Sequence, residues 1–208
     1  LPAELLATPP RVAAATPVFV GGMPLNNVSQ TDLNLTAFGV EPASLAAFWS
    51  PEIAAEAERL EVADTVLIDR DTRFISPELI QQIEQGQPVQ AEVLNRTLAL
   101  AGTFSIGAGF EADGYAFMSD QTFLRLYPDQ SPRAPTHVMV ALQPGADVER
   151  VLSDLRAILP ADEVKVRTIA QAADAERQFQ TVERPVGVIF GFGAIMGVLV
   201  GLVIVYQV

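Results

Sequence analysis

The chain has 208 residues, half of them hydrophobic, and its 25 acidic and 13 basic residues give a formal net charge of −12. Because neither lysine nor arginine forms a run, this acidic balance argues against binding to nucleic acid phosphates. The absence of cysteine excludes thiol nucleophiles, disulfides and cysteine-based metal sites. The chain begins at Leu1 rather than at a methionine, so we expect it to be part of a longer protein.

In chain order, the apolar and β-branched patterns of the first two thirds predict short strands interrupted by short helices. Strand-rich segments are expected at 11–22 and 33–40, a short helix at 53–60 and a buried strand at 65–69. A helix at 77–85 should end at Gly86, and two strands within 88–104 should be joined by a turn near Asn95 and Arg96. A strand at 114–118 should precede a helix over 121–127, capped by Ser119 or Asp120.

The last third has a different pattern, in which a strand at 136–142 and a helix at 148–159 are followed by a short strand at 164–167. Asp147 and Pro160 supply the start and stop signals of the helix. Strand, helix and strand with short connections predict a βαβ unit with a right-handed crossover. A further helix is expected from Thr168, which has capping-box spacing to Gln171, and it should continue to Pro185. The elements together predict a mixed α+β domain.

The final 24 residues, 185–208, are predominantly apolar and carry no charge. As a helix they would extend about 36 Å, more than the roughly 30 Å hydrocarbon core of a bilayer. Gly193, Gly197 and Gly201 recur at every fourth position, which allows close helix contact in lipid, although glycine is also common in membrane helices generally. We therefore predict a transmembrane helix over 185–208. The scarcity of lysine and arginine in 1–184 favours an extracytoplasmic position for that segment.

Few residues suggest chemistry. His137 is the only imidazole and lies in a predicted strand, where a structural or surface role is the better interpretation. Asp69 and Asp71 flank Arg70 and could serve acid–base chemistry or hold a cation, but a solvated turn after a buried strand is the simpler explanation.

The glycine-rich segment 107–120 contains Glu111, Asp113 and Asp120, yet its spacing does not match an EF-hand calcium loop. It also lacks the glycine order of a dinucleotide site, and no phosphate-binding loop occurs in the chain. We therefore predict no catalytic residue, no cofactor and no metal site, and we expect the chain not to be an enzyme.

Several segments together resemble a family of transport proteins. They are 65–70 (TVLIDR), 93–104, 107–123 (GAGFEADGYAFMSDQTF), 124–128 (LRLYP), 142–148 (LQPGADV) and the tail from Pro185. In order and spacing they resemble DevC, the permease of a cyanobacterial ABC exporter related to the MacB and FtsX permeases. The resemblance covers nearly the whole chain and is weakest over Leu1 to Val62.

The resemblance implies a two-lobed, MacB-like periplasmic domain at 1–184, followed by a transmembrane helix at 185–208. One lobe would be porter-like and contain the βαβ unit of 136–167, and the other would be a mixed lobe inserted at about 33–133. A first membrane helix would precede Leu1, and three more would begin at Pro185. The chain would lie in a bacterial inner membrane with 1–184 in the periplasm.

The implied function is that of the permease subunit of an ABC exporter, in which the periplasmic domain couples ATP-driven motion of the membrane helices to export. Implied partners are a cytoplasmic ATPase that performs hydrolysis, a membrane-fusion adaptor, a TolC-like outer-membrane duct, membrane lipid and a second permease copy; nucleic acid is not expected. Envelope glycolipids are the implied substrate class. Two alternatives remain: a FtsX- or LolC-like protein that regulates a cell-wall hydrolase or releases lipoproteins, and an unrelated single-pass receptor ectodomain.

Overall fold

The structure, a computed structural model, describes residues 11–28, 32–107, 112–178, 195–198 and 200. The strands are β1 (Val12–Leu25), β2 (Leu33–Val40), β3 (Thr65–Asp69), β4 (Val89–Val93), β5 (Arg96–Phe104), β6 (Gly114–Ser119) and β7 (His137–Leu142). The helices are α1 (Leu45–Phe48), α2 (Pro51–Ala55), α3 (Ala57–Leu60), α4 (Pro77–Glu84), α5 (Asp120–Leu126), α6 (Val148–Ile158) and α7 (Ile169–Gln178). A 3₁₀ turn, Pro42–Ser44, precedes α1.

The chain divides into two compact units, Leu1–Ala146 and Asp147–Val208. Within the described part of the first unit, seven strands form one mixed sheet in the order β4–β5–β3–β6–β2–β1–β7. The pairs β2–β6 and β3–β5 are parallel, and the other neighbouring pairs are antiparallel. Along the sequence, helices connect several of these strands, which confirms the predicted α+β class.

One face of the sheet is covered by α4 and α5. Ile83 of α4 and Phe123 and Leu126 of α5 are buried in a hydrophobic cluster with residues of β1 to β6. The fit is close at Gly39, where a Cβ atom would lie 2.4 Å from the Phe123 Cβ atom. A side chain at this position would therefore push α5 away from β2.

The opposite face is covered by the 3₁₀ turn and by α1 to α3. Leu45, Ile53 and Leu60 from these helices pack with Phe104 and Phe117 of the sheet. The single tryptophan, Trp49, lies with its ring centroid 4.7 Å from that of Phe117 in an edge-to-face arrangement. This geometry is favourable for aromatic pairs and makes Trp49 a natural reporter of the packing on this face.

Serine caps explain where three helices begin. Ser76 accepts a hydrogen bond from the Leu79 N–H (3.2 Å), and Ser119 accepts one from the Thr122 N–H (3.1 Å). Ser50 occupies the same position at α2, with its hydroxyl 3.5 Å from the Ile53 nitrogen. Each cap satisfies a helix N–H that has no partner within the helix.

In the second unit, two helix starts confirm the sequence signals. Asp147 caps α6, its carboxylate accepting hydrogen bonds from the N–H groups of Glu149 and Arg150. At α7, the Gln171 N–H donates to Thr168 Oγ1 (3.1 Å) while Thr168 N–H donates to Gln171 Oε1 (3.2 Å). These reciprocal bonds are those of a capping box.

The predicted βαβ unit is wrong in its last element. Residues 164–167 are not a strand; instead, the guanidinium of Arg156 donates two hydrogen bonds to the Val166 carbonyl oxygen (2.9 and 3.3 Å). A four-residue segment is a stable strand only when a neighbouring strand pairs with it, and here an α6 side chain bonds its carbonyl instead. A second prediction also differs from the structure: in place of one helix at 53–60 there are two short helices, α2 and α3, separated at Glu56.

The expected boundary between two lobes at Leu33 is not a break in the structure. β1 and β2 pair over Val18–Leu25 and Leu33–Val40, so one sheet runs through both expected lobes. The long β1 produces this continuity because its first half pairs with β7 and its second half with β2.

The predicted transmembrane helix at 185–208 lies outside the described residues except for 195–198 and 200, which are helical. Among the residues that the structure describes, no helix combines the length and the apolar character that a membrane span requires.

Candidate functional site at the carboxyl ends of two parallel strands

The parallel strands β3 and β5 end at the same edge of the sheet, and a buried carboxylate joins the loops that follow them. Asp69, the last residue of β3, has no exposed surface. Its Oδ2 atom accepts a hydrogen bond from the Gly107 N–H (2.9 Å), and its Oδ1 atom accepts one from the Asp71 N–H (3.0 Å). Because both carboxylate oxygens are engaged by backbone donors, Asp69 fixes two loops that are distant in sequence.

A second set of bonds ties this edge to β2 and β6. The Arg73 N–H donates to the Asp113 carbonyl oxygen (2.8 Å), and the Asn34 N–H donates to Asp113 Oδ2 (2.9 Å). Thr72 is buried, and its hydroxyl donates to the Asp69 carbonyl oxygen (2.6 Å). A Cβ atom at Gly114 would lie 2.2 Å from the Thr72 hydroxyl oxygen, so glycine is required there. The loop 70–73 is thus held on both sides.

Charged side chains border the same edge. Arg70 forms an ion pair with Glu52 of α2 and lies 4.0 Å from Glu84 of α4. Glu84 also accepts a hydrogen bond from the Thr103 hydroxyl (3.2 Å). The paired side chains are 40–48% exposed, and exposed ion pairs of this kind add at most about 1 kcal/mol each. They therefore add little stability, although they connect the residue after β3 to α2 and α4.

A β-bulge in β5 brings another arginine to the sheet. The β3–β5 register passes from Leu100 to Gly102, which leaves Ala101 as the extra residue. The Arg59 guanidinium of α3 donates to the Ala101 carbonyl oxygen and pairs with Glu56 at 2.7 Å. Bulges free backbone groups from the ladder, and in this case a side chain satisfies one of them.

Among the residues that the structure describes, those that the sequence singled out do not assemble into a reactive centre. His137 is exposed at the start of β7 and is in register with Val18. Asp120 lies in the first turn of α5, where its carboxylate accepts a hydrogen bond from the Gln121 N–H. Glu111 lies outside the described residues. In the described ranges, no three histidine or acidic residues come together as a metal site would require.

Asp69 differs from its sequence interpretation, since it is buried and not part of a solvated turn. Asp71 is exposed and accepts a hydrogen bond from the Ser105 hydroxyl (2.6 Å), which joins the two loops a second time. Alternating charges suggested a surface turn, and the sequence held no signal that Gly107, 38 residues later, would contact Asp69.

Two exposed apolar residues at this edge were not singled out in the sequence. Phe74, in the loop after β3, is 70% exposed, and Ile106, in the loop after β5, is 50% exposed. Phe74 also has a positive φ of 62°. Phe74 lies between Arg73 and Ser76-Pro77, the start signal of α4, so its place in the sequence indicates a turn. Nothing in the sequence indicated its backbone conformation.

The fold is similar to that of two solved extracytoplasmic domains. The extracellular domain of the noncanonic ABC-type transporter YknZ from Gram-positive bacteria aligns with a TM-score of 0.52 and 8% identity, over 72% of this chain and 75% of that domain. The periplasmic region of MacB from Actinobacillus actinomycetemcomitans aligns with a TM-score of 0.50 and 12% identity, over 75% of this chain and 72% of that region. No protein-family model matches the sequence, and neither does a curated protein. The described part of the chain is therefore similar in fold to the extracellular domain of YknZ and to the periplasmic region of MacB.

Proposed function

We propose that this chain is the extracytoplasmic part of the permease subunit of an ABC-type exporter. The observation that carries the proposal is the shared fold, since both similar domains come from ABC-type transport proteins and lie outside the cytoplasm. Fold alone does not specify function, so the proposal rests in addition on the uncharged segment 185–208 and on the resemblance of the sequence to DevC permeases.

In this proposal, residues 1–184 lie in the periplasm and 185–208 form a transmembrane helix. The domain transmits motion and performs no chemistry, and a separate cytoplasmic ATPase hydrolyses the nucleotide. The cross-tied loops around Asp69 support such a role because a stiff domain passes on a displacement that a compliant one would absorb. The adaptor, the TolC-like duct, the second permease copy and an envelope glycolipid substrate belong to the same proposal.

Labelling of a single introduced cysteine tests the location of the domain, because these 208 residues contain no cysteine. In a complete permease freed of other cysteines, Asp129→Cys should react with a membrane-impermeant maleimide in intact spheroplasts, since Asp129 is exposed. Met118→Cys is the matched control: Met118 is fully buried, so its thiol should react only after denaturation. Reaction of the cysteine at position 129 only after lysis would contradict the proposed location.

Purification of the complete permease tests its assignment to an exporter. The permease should copurify with an ABC ATPase, and ATP hydrolysis by the complex should respond to the adaptor. A permease that copurifies with a cell-wall hydrolase, and whose deletion alters cell separation without affecting export, would contradict the exporter assignment.

A further inference from the structure

Phe74 is held in a backbone conformation that disfavours it. Its φ of 62° lies in the left-handed region, which a bulky L-residue adopts only at a cost. The residues on both sides are fixed, because the Arg73 N–H bonds to the Asp113 carbonyl oxygen (2.8 Å) and Ile75 packs against the core. The loop therefore presents Phe74 in one defined position.

Folding does not explain this aromatic side chain. Because Phe74 is 70% exposed, its ring buries little apolar surface to offset the backbone cost. Leu94 is a useful comparison, with a φ of 47° and 41% exposure. There the local fold supplies a reason, since Leu94 and Asn95 form the two-residue turn that joins β4 to β5 and requires positive φ at both positions. Phe74 lies in no such hairpin.

Two further exposed residues, Ile106 and Arg73, lie in the same two loops, which hydrogen bonds tie together. Ile106 lies between Ser105, which bonds to Asp71 in the loop after β3, and Gly107, which bonds to Asp69 at the end of β3. Arg73 is exposed and takes part in none of the ion pairs found among the described residues. Aromatic residues and arginine are enriched at the centres of protein interfaces. Exposed apolar groups beside a cation that forms no ion pair with another described residue suit an apolar pocket with an anionic border.

We propose that Phe74, Ile106 and Arg73 form a docking knob for a protein partner that offers an apolar pocket bordered by carboxylates. The fixed loop favours a protein partner over lipid, because a preorganised anchor gains affinity in a shaped pocket, whereas a fluid lipid surface requires no fixed backbone. This inference rests on the proposed function in one respect, which is that the partner to test first is the exporter's adaptor.

Phe74→Asn in the complete permease separates docking from folding. Asparagine tolerates positive φ, so this variant should unfold about 2–4 °C higher than the wild type while binding the purified adaptor at least about tenfold more weakly. Leu94→Asn is the matched control. It introduces asparagine at another exposed position with positive φ, at the end of β5 opposite to Ile106, so adaptor affinity should be unchanged. Unchanged affinity of the Phe74→Asn variant, or equal losses in both variants, would overturn the docking knob.

The charge of the pocket is tested by Arg73→Glu, which should weaken adaptor binding by at least about tenfold because two like charges would then meet. The effect should diminish as salt is raised, since screening weakens the repulsion. An affinity equal to that of the wild type at low salt would overturn the proposed carboxylate border.

Photocrosslinking from benzoylphenylalanine in place of Phe74 or Ile106, with Leu94 as the control position, identifies the partner in membranes. A crosslink from positions 74 and 106 to an apolar, acid-bordered site of the adaptor supports both proposals. A crosslink to such a site of a different protein supports the knob but contradicts the adaptor assignment. Crosslinks to lipid, to a second copy of this chain, or no more product than from position 94 overturn the docking knob.

Discussion

Asn26 and Glu92 exchange two backbone hydrogen bonds, from the Asn26 N–H to the Glu92 carbonyl oxygen (2.9 Å) and from the Glu92 N–H to the Asn26 carbonyl oxygen (3.2 Å). Asn26 follows β1, the sixth strand in the sheet order, and Glu92 belongs to β4, the first. The bridge therefore links distant positions of the sheet and partly closes it. A sheet joined in this way resists shear better than an open one.

Glu92→Pro should weaken this closure, because proline has no N–H to donate to Asn26. Gln90→Pro is the matched control, since Gln90 lies two residues away on the same strand and its N–H points to the same side as that of Glu92. We expect the Glu92 variant of segment 1–184 to lose about 1 kcal/mol more unfolding free energy than the control. Urea unfolding followed by Trp49 fluorescence measures the difference, and equal losses would contradict the role of the bridge.

Asp69→Asn should destabilise the fold because an amide offers only one acceptor oxygen to the N–H groups of Asp71 and Gly107. One buried donor then has no partner, which costs about 1–3 kcal/mol. Asp71→Asn is the control: Asp71 is exposed, and its amide oxygen can still accept the Ser105 hydroxyl bond. Differential unfolding of the two variants measures the effect, and a loss for Asp69→Asn no larger than that of the control would show that the buried carboxylate is dispensable.

The phenol of Tyr127 gives the fold a pH dependence in alkaline solution. Its hydroxyl donates to the Gly22 carbonyl oxygen (2.6 Å), and burial raises the pKa of Tyr127 above its ordinary value because the charged form is disfavoured. The folded state thus retains the proton longer than the unfolded state does, so this contribution is full below the unfolded pKa of 10.0 and is lost as pH rises through the folded pKa.

Tyr127→Phe should therefore lose less unfolding free energy than the wild type between about pH 9 and pH 11, although it starts about 1 kcal/mol lower because the hydrogen bond is missing. Denaturant unfolding across that range measures both differences. Parallel pH profiles for the two proteins would mean that the phenol titrates equally in the folded and unfolded states.

The strands were predictable where local pattern determines them. The segments 33–40 and 65–69 are β2 and β3 to the residue because each is an apolar or alternating run bounded by polar residues. α1 was not predicted because its four residues, Leu45–Phe48, are too few to show a helical period. The segment 164–167 has a strand-like pattern, but pairing with another strand, which a pattern cannot specify, decides whether such a segment becomes a strand.

The candidate site was much less predictable. Its geometry depends on contacts between segments far apart in sequence, such as Asp69 with Gly107 and Arg73 with Asp113. The most informative property of Phe74 is a backbone angle imposed by those contacts. A single sequence carries no direct signal of such long-range contacts or of such a backbone angle. The site could therefore be identified only in the folded structure.

The central claim, that this domain passes motion between membrane helices and exported cargo, is tested most directly at its junction with the segment 185–208. Six Gly/Ser residues inserted between Arg184 and Pro185 of the complete exporter create a flexible joint that dissipates displacement. We predict a membrane-inserted protein whose export fails while ATP hydrolysis by the partner ATPase persists. Export at the wild-type rate would contradict the mechanical role and leave the domain as a passive docking platform.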